Sequence, residues 1–248
     1  MKPLDIKFIA RPLYAVLIIA ASLGMGTADF TAYRARAQQI SGAGTSGPML
    51  LITWHAGTYV PADFSGKALP TTDSTITASL AVVDNGKIVN LNGQTVWWYV
   101  NNTQITSGQG VTTVKFKVPG MAPNSIALRA QLPGYPSGGI VVKTIEIPVI
   151  YPEAVIDAPF PAGTIASSSA QVSARPFFFN VKNISGLNFA WQLNSTSVNS
   201  IESPSVLNIK VDQSVQAGAL VDIRLGINNP LSFAEGNSNE ISLRLGSH

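Results

Sequence analysis

The chain contains the stretch VWWYVNN at residues 96–102 and a counterpart, FAWQLNS, at residues 189–195. Each is an apolar, strand-like run with a central Trp that leads into an Asn-containing turn. A shift of 93 positions places Trp191 on Trp98 and Asn194 on Asn101. The same shift places residues 206–211 on 113–118 and, with small shifts for loops, 220–225 align with 125–130 and 240–243 with 146–149. The sequence is therefore predicted to repeat one structural unit in tandem.

The body of the chain, from residue 49 onward, is a series of short apolar or alternating runs separated by turn residues. Examples of the separators are Asp84-Asn85-Gly86 and Pro133-Gly134-Tyr135-Pro136. Because no window of a dozen residues keeps a helical stripe, the pattern predicts an all-β protein. We expect two tandem immunoglobulin-like β-sandwiches, at residues 49–151 and 152–248, with Pro152 limiting the angle between them.

The first 37 residues have the order of an export signal or membrane anchor. Lys2, Lys7 and Arg11 lie within the first dozen positions, and an apolar run at residues 13–26 follows them. An N-terminal signal or anchor helix is predicted, with cleavage after Ala37, cleavage after Ala28 or no cleavage as the open alternatives. Residues 38–48 are predicted to be a Gly/Ser-rich linker. Each alternative places the rest of the chain outside the cytoplasmic membrane, secreted or attached to the cell surface.

Charge is concentrated in the N-terminal segment. Residues 1–37 carry five basic and two acidic side chains, whereas the rest of the chain carries eleven of each. Nucleic-acid binding normally needs clustered Lys and Arg, so the neutral body argues against a nucleic-acid partner. The chain has no Cys, which excludes disulfide bonds and thiol chemistry.

The two Trp motifs, WYVNN at residues 98–102 and WQLN at 191–194, resemble the W-x-[VL]-N-x core of PKD-like and other immunoglobulin-like bacterial surface domains. The chain lacks the W-x-x-G-D-G step of PKD domains. The leader, the linker and residues 52–70 look like predicted envelope proteins of the ultra-small candidate-phylum bacteria. The resemblance implies an exported structural or adhesive module without catalysis.

Strand alternation around the repeated Trp separates core from surface. If Trp98 and Trp191 form the core Trp pair, Trp97 and Tyr99 point away from the core. Two aromatic side chains on an outer face can bind a partner's groove or stack on sugar rings. They are the candidate ligand or partner surface. The alternative is that the neighbouring unit, the loop at residues 60–75 or another strand covers them.

A second aromatic cluster occupies residues 177–179. Alternation predicts Phe177 and Phe179 on one face, in the core, and Phe178 on the other. A contact between the units or between chains is the alternative for this cluster.

Catalytic and metal-binding patterns are missing from the sequence. His55 is the only His apart from the terminal His248, so a Ser-His-acid triad would depend on it. No zinc, phosphate-loop or esterase motif occurs. A calcium site would need Glu153 or Asp157 to meet Asp73 or Asp84. We therefore predict no catalytic residues, no cofactor and no metal.

These observations predict an exported, non-catalytic envelope or surface module that acts in structural assembly or adhesion through protein–protein contacts. The alternative is a carbohydrate- or polymer-binding module that uses the exposed aromatic residues of the first unit. The expected partners are envelope proteins or surface polysaccharide, with membrane contact only through an uncleaved N-terminal segment.

Overall fold

The computed structural model describes residues 47–246 except 121–123, 137–138, 161, 199–202 and 213. The predicted signal or anchor helix, its cleavage sites and nearly all of the Gly/Ser-rich linker lie outside the described residues. Within the described part of the chain, no helix is long and apolar enough to span a membrane. The helical content there is a 3-10 turn at Ile184–Gly186.

The first sandwich consists of eight antiparallel strands in two sheets. The strands are β1 (Met49–Ala56), β2 (Thr75–Asp84), β3 (Lys87–Ile88), β4 (Thr95–Val100), β5 (Thr103–Gln109), β6 (Thr113–Lys117), β7 (Ser125–Pro133) and β8 (Ile140–Pro148). One sheet is formed by β1 and β2, with β3 and β6 both paired to β2. The other has the order β5-β4-β7-β8.

The second sandwich repeats seven of these strands and their pairing, while β3 has no counterpart among the described residues and one short strand is added. Its strands are β9 (Glu153–Asp157), β10 (Thr164–Ile165), β11 (Ser169–Phe177), β12 (Asn188–Leu193), β13 (Thr196–Val198), β14 (Val206–Lys210), β15 (Leu220–Asn228) and β16 (Gly236–Leu245). The sheets are β14-β11-β9 and β10-β16-β15-β12-β13, with β10 parallel to β16. The all-β architecture of two tandem immunoglobulin-like sandwiches is therefore confirmed.

The repeated Trp has the same environment in both sandwiches. Trp98 and Trp191 are both fully buried, each within its own hydrophobic core. Each indole N–H donates to a backbone carbonyl 13 residues further on, that of Val111 at 2.7 Å and that of Pro204 at 3.0 Å. A buried Trp needs a partner for its only donor, so the repeat preserves both the packing and the hydrogen bond.

The turn that follows each Trp strand is also repeated. Asn101 and Asn194 both have φ of 45°, a left-handed conformation that Asn tolerates better than most residues. The Oδ1 atoms of Asn101 and Asn194 accept the backbone N–H of Ala127 and Asp222, each at 2.9 Å. These bonds join each turn to the neighbouring strand, β7 or β15.

The last strands of the two sandwiches, β8 and β16, are equivalent at positions that differ by two from the sequence alignment. In the strand register, buried Ile147 pairs with Ile126 and buried Leu243 pairs with Val221, a shift of 96. The sequence alignment had matched the exposed Glu146 to Glu240. The cause is the loop before this strand, which spans residues 134–139 in the first sandwich and the longer 229–235 in the second.

The connector between β1 and β2, residues 57–74, docks on the second sandwich. Tyr59 donates its backbone N–H to Phe179 and accepts that of Phe178, both at 2.7 Å. The ring of Phe64 makes edge contacts with Phe177 and Phe178 at centroid distances of 5.5 and 5.9 Å. The two sandwiches are therefore joined by this connector as well as by the short junction at Pro152.

The predicted alternation within the Phe cluster is wrong. Strand β11 ends at Phe177, and Phe178 has φ of 63°, so the side chains no longer alternate. All three rings are buried. Phe179 belongs to the second core, whereas Phe177 and Phe178 pack on Phe64 of the connector. The contact between units, which was the alternative, accounts for two of the three rings.

Glu235 closes the junction from the side of the second sandwich. Its carboxylate is buried and accepts the hydroxyl of Thr71 at 3.2 Å, the backbone N–H of Asn180 at 3.0 Å and the amide of Asn229 at 2.7 Å. A buried carboxylate is stable when hydrogen bonds replace its water.

Arg175 adds ion pairs to Asp63 of the connector and to Asp157 of the second sandwich.

Candidate interaction site on the first sandwich

The outer surface of the β5-β4-β7-β8 sheet carries Trp97 and Tyr99. Their neighbours along β4, Val96, Trp98 and Val100, are buried, while Trp97 and Tyr99 are only partly covered. Their directly opposed partners on β7 are Gln131 and Arg129. Strand alternation thus produces the two-sided arrangement expected of a sheet with one face on the core.

Arg129 is stacked against Tyr99. Its guanidinium carbon lies 4.4 Å from the centroid of the Tyr99 ring, and Nη1 donates to Oδ1 of Asn102 at 3.2 Å. Nε of Arg129 is buried and has no hydrogen-bond partner among the described residues. Arg129 also makes no ion pair within the part of the chain that the structure describes. The stacked guanidinium covers one face of the Tyr99 ring. It is a cation that no carboxylate of the described residues pairs with.

Apolar side chains extend this surface onto the edge strand β8. Val142 lies opposite Gln131 and Ile140 opposite Pro133, and the two are 46% and 57% exposed. We call Trp97, Tyr99, Arg129, Gln131 and Val142 the aromatic face. Polar pairs border it, with Gln104 bonded to Ser107 on β5 and Ser125 bonded to Glu146 on β8. An apolar and aromatic centre with a polar rim is the usual composition of a protein-binding surface.

The equivalent surface of the second sandwich has different chemistry. Ala190 and Gln192 occupy the positions of Trp97 and Tyr99. Arg224 occupies the position of Arg129, but it forms an ion pair of 2.6 Å with Glu240 on the opposed strand. A shallow polar depression lies here, lined by Gln192, Ser195, Asp222, Arg224 and Glu240. The second sandwich therefore presents a polar surface on which Arg224 is paired with Glu240 and Asp222 accepts the hydroxyl of Ser242.

The edges of the two sheets differ as well. In the second sandwich, the short strand β10 pairs with part of the edge of β16. Among the described residues, no strand pairs with the corresponding edge of β8. An unpaired edge offers backbone groups to a partner strand.

The candidate catalytic and metal-binding residues are not assembled into a site. His55 is exposed on the outer side of β1, opposite Thr77. Asp157 pairs with Arg175, and Asp84 accepts the hydroxyl of Tyr135 at 3.1 Å. Within the described ranges, no group of three or more His, Cys, Asp or Glu side chains could hold a metal ion.

Two further ionisable groups have shifted pKa values through burial. Partial burial raises the pKa of Glu153, at the start of the second sandwich, above its ordinary value. Burial also lowers the pKa of Lys67, whose ammonium group lies 3.4 Å from the centroid of a Trp54 ring.

The sequence pattern predicted Trp97 and Tyr99 as a candidate surface but gave no sign of Arg129 beside them, of the docking of the connector or of the contacts of Glu235. The repeat holds a signal for Arg129. It aligns with Arg224, which is opposite Glu240, but no acidic residue is opposite Arg129. Thr144 occupies that place. This signal can be recognised only with the correct strand register, and the sequence alignment of the last strand was off by two positions.

No family model matches the chain, and no curated protein matches it. Among solved structures, the fibronectin(III)-like modules of Clostridium thermocellum CbhA are 14% identical, with 79% of this chain and 94% of theirs covered and a TM-score of 0.28. Bacteroides ovatus SGBP-B, from a mixed-linkage glucan utilization locus, is 14% identical, with 81% and 47% covered and a TM-score of 0.24.

A C-terminal fragment of intimin, in complex with the intimin-binding domain of its translocated receptor, is also similar. It is 14% identical, with 75% of this chain and 63% of the fragment covered and a TM-score of 0.26. TM-scores this low do not permit sites to be superposed. The function must therefore be inferred from the side chains of this chain.

Proposed function

We propose that this protein is an exported, non-catalytic module of the cell envelope or surface that acts in structural assembly or adhesion through protein–protein contacts. The observation that carries the proposal is the aromatic face of the first sandwich. In the second sandwich the Trp strand has equivalent neighbours in its sheet but lacks that face, so the fold alone does not require Trp97 and Tyr99 at the surface.

The composition of the face favours a protein over a sugar. A sugar ring would need an open aromatic surface, and the guanidinium of Arg129 covers one side of Tyr99. A protein partner can use the exposed edges of both rings, the apolar Val142 and the cation together. Trp, Tyr and Arg are also the residue types that contribute most to protein interfaces. A carbohydrate ligand would have to rely on Trp97 with little help from Tyr99.

The N-terminal sequence supports export. Its basic residues precede an apolar run, which is the order of a secretory signal. Because the remaining chain is electrically balanced, its surface suits packing contacts better than recognition of a highly charged polymer. The proposed location is outside the cytoplasmic membrane.

The test is binding of the purified protein to separated envelope proteins and envelope polysaccharides. We expect capture of proteins by the wild type and a loss of at least about tenfold in affinity for Trp97→Ala/Tyr99→Ala, equivalent to about 1.4 kcal/mol. The matched control is Gln192→Ala, which alters the equivalent position of the second sandwich. Thermal melting of each variant verifies that the fold is retained.

Two results would contradict the proposal. One is binding of polysaccharide that disappears in the double variant, which would make the protein a carbohydrate-binding module. The other is protein binding that is equal in the wild type and in the double variant.

A further inference from the structure

The loop between β15 and β16, residues 229–235, presents two apolar side chains that the described residues leave almost fully exposed. Leu231 and Phe233 are 92% and 109% exposed. Single exposed apolar side chains are common, but two at full exposure within three residues form a protruding apolar tip. We call Leu231 and Phe233 the loop tip.

The loop is held rigidly, so this exposure is part of its structure. Asn229 and Glu235 are joined by a backbone hydrogen bond of 2.8 Å at the base of the loop. Within it, Ser232 donates its backbone N–H to Asn229 at 3.1 Å, and Leu231 donates to the Asn229 side chain at 3.0 Å. The buried Glu235 fixes the same base to the junction. A tip ordered in advance loses little conformational entropy when it binds.

The equivalent loop of the first sandwich has an aromatic side chain that points inward. Tyr135 is buried in the first core and donates its hydroxyl to Asp84 at 3.1 Å. The corresponding loop of the second sandwich has its apolar residues directed to solvent. Because one copy of the repeat closes over its own core, the outward tip is not a requirement of the fold.

We propose that the loop tip of one molecule docks on the aromatic face of a second copy of this chain, forming head-to-tail assemblies. This inference rests on the proposed function, because it names the partner of the aromatic face. The tip supplies apolar surface without a charge of its own, and the face supplies partly exposed rings with Val142 beside them. Among the described residues, the loop tip is left exposed and the aromatic face is only partly covered.

Charge favours the same pairing. Residues 49–151 carry six basic and four acidic side chains, whereas residues 152–248 carry five basic and seven acidic ones. Opposite net charges on the two sandwiches attract the second sandwich of one copy to the first sandwich of another. The acidic balance of the second sandwich also opposes insertion into an anionic lipid surface.

A contact made by one loop and one sheet face is heterologous, so it can repeat from copy to copy. It is also small, which predicts a weak, concentration-dependent association. The experiment is sedimentation velocity of the purified protein over a concentration series up to about 1 mM, a range that covers the weak affinities of such contacts. Two variants accompany the wild type: Leu231→Ser/Phe233→Ser, and Trp97→Ser/Val142→Glu with its melting temperature checked.

We expect the wild type to form a ladder of oligomers and each variant to remain monomeric. An equimolar mixture of the two variants restores one complete contact per pair, so it should give dimers and no larger species. A second face variant, Gln131→Glu, serves if Trp97→Ser disturbs the fold. The ladder should shift with ionic strength because charge contributes to the attraction.

Three results would overturn the inference. They are a monomeric wild type at the highest concentration, an association unaffected by the loop variant, or a mixture that stays monomeric. Vesicles of phosphatidylglycerol and phosphatidylcholine form a separate arm. Vesicle binding that depends on Leu231 and Phe233, together with a monomeric wild type, would assign the tip to lipid.

The proposed function can fail separately. If the wild type is monomeric but Trp97→Ala/Tyr99→Ala still abolishes capture of envelope proteins, the self-association is wrong and the proposed function stands. If the wild type captures no protein, its own copies included, and instead binds polysaccharide through Trp97 and Tyr99, the proposed function is wrong and the self-association is wrong with it.

Discussion

The two sandwiches have the same strand order and the same buried Trp, yet their outer faces differ. In the first, Trp97 and Tyr99 lie beside an Arg that has no carboxylate partner within the described residues. In the second, Ala190 and Gln192 lie beside an Arg paired with Glu240. Inward positions are constrained by packing in both copies, so they stay alike. Outward positions are free of that constraint, and in the first sandwich they carry the side chains on which the proposed function rests.

The first prediction separates inward from outward residues and has the largest expected effect. Trp98→Ala should lower the free energy of unfolding by about 3–5 kcal/mol, because it leaves a cavity in the first core. Trp97→Ala, the matched control one position away, should cost far less because its side chain is already partly in water. Denaturant unfolding measures both. Equal losses for the two variants would contradict the assignment of faces.

The second prediction concerns the junction that joins the sandwiches. Glu235→Ala removes the acceptor of three buried or partly buried donors and should cost about 2–3 kcal/mol. We expect calorimetry to show the two sandwiches melting together in the wild type and separately in this variant. Glu235→Gln keeps one carbonyl acceptor, so its loss of stability should lie between zero and that of Glu235→Ala. A single unchanged transition in Glu235→Ala would show that the carboxylate does not couple the sandwiches.

The third prediction tests whether the two turns are equivalent. Asn101→Ala and Asn194→Ala each lose the bond to the neighbouring strand and place Ala at positive φ, at a cost of about 1–2 kcal/mol. Asn→Gly at either position retains the left-handed turn and loses only the hydrogen bond, so its cost should be smaller. Chemical denaturation of the four variants provides the comparison. A large loss of unfolding free energy at one turn and none at the other would contradict the structural equivalence of the two turns.

The smallest predicted effect is a pH dependence at the connector. The hydrogen bond from Arg175 lowers the pKa of Asp63 below its ordinary value, against a smaller opposing effect of burial. Since the folded-state pKa is the lower one, this contribution to stability is complete at neutral pH. It is lost as the pH falls below about 4, through the folded-state pKa.

Asp63→Asn should therefore flatten the acid limb of a plot of melting temperature against pH. Salt should weaken the effect in the wild type, because Asp63 is largely exposed. Identical acid limbs for the wild type and Asp63→Asn would contradict the assignment.

The fold was predictable because the repeat doubles a local pattern. Strand alternation around Trp98 and Trp191, with Asn at the following turn, is determined by neighbouring residues and by burial. The outward direction of Trp97 and Tyr99 follows from the same alternation. Their neighbours across the sheet were harder to predict, since they depend on strand register and on a loop that is one residue longer in the second copy.

The contacts between the sandwiches could not be read from the sequence. Phe178 adopts a left-handed conformation where alternation predicted a regular strand, because the chain turns there to meet Tyr59 of the connector. Glu235 and Thr71 are separated by 164 positions and share no pattern that would indicate contact. Such contacts depend on how two complete sandwiches pack, which no local periodicity encodes.

The most direct test of the divergence between the faces is an exchange of the paired residues. Trp97→Ala/Tyr99→Gln gives the first sandwich the residues of the second, and Ala190→Trp/Gln192→Tyr makes the reverse change. Affinity for separated envelope proteins should be measured for both variants beside the wild type, with melting temperatures verified. We predict that the first variant loses binding and that the second binds at least as well as the wild type. Full binding by the first variant would contradict the assignment of function to the aromatic face.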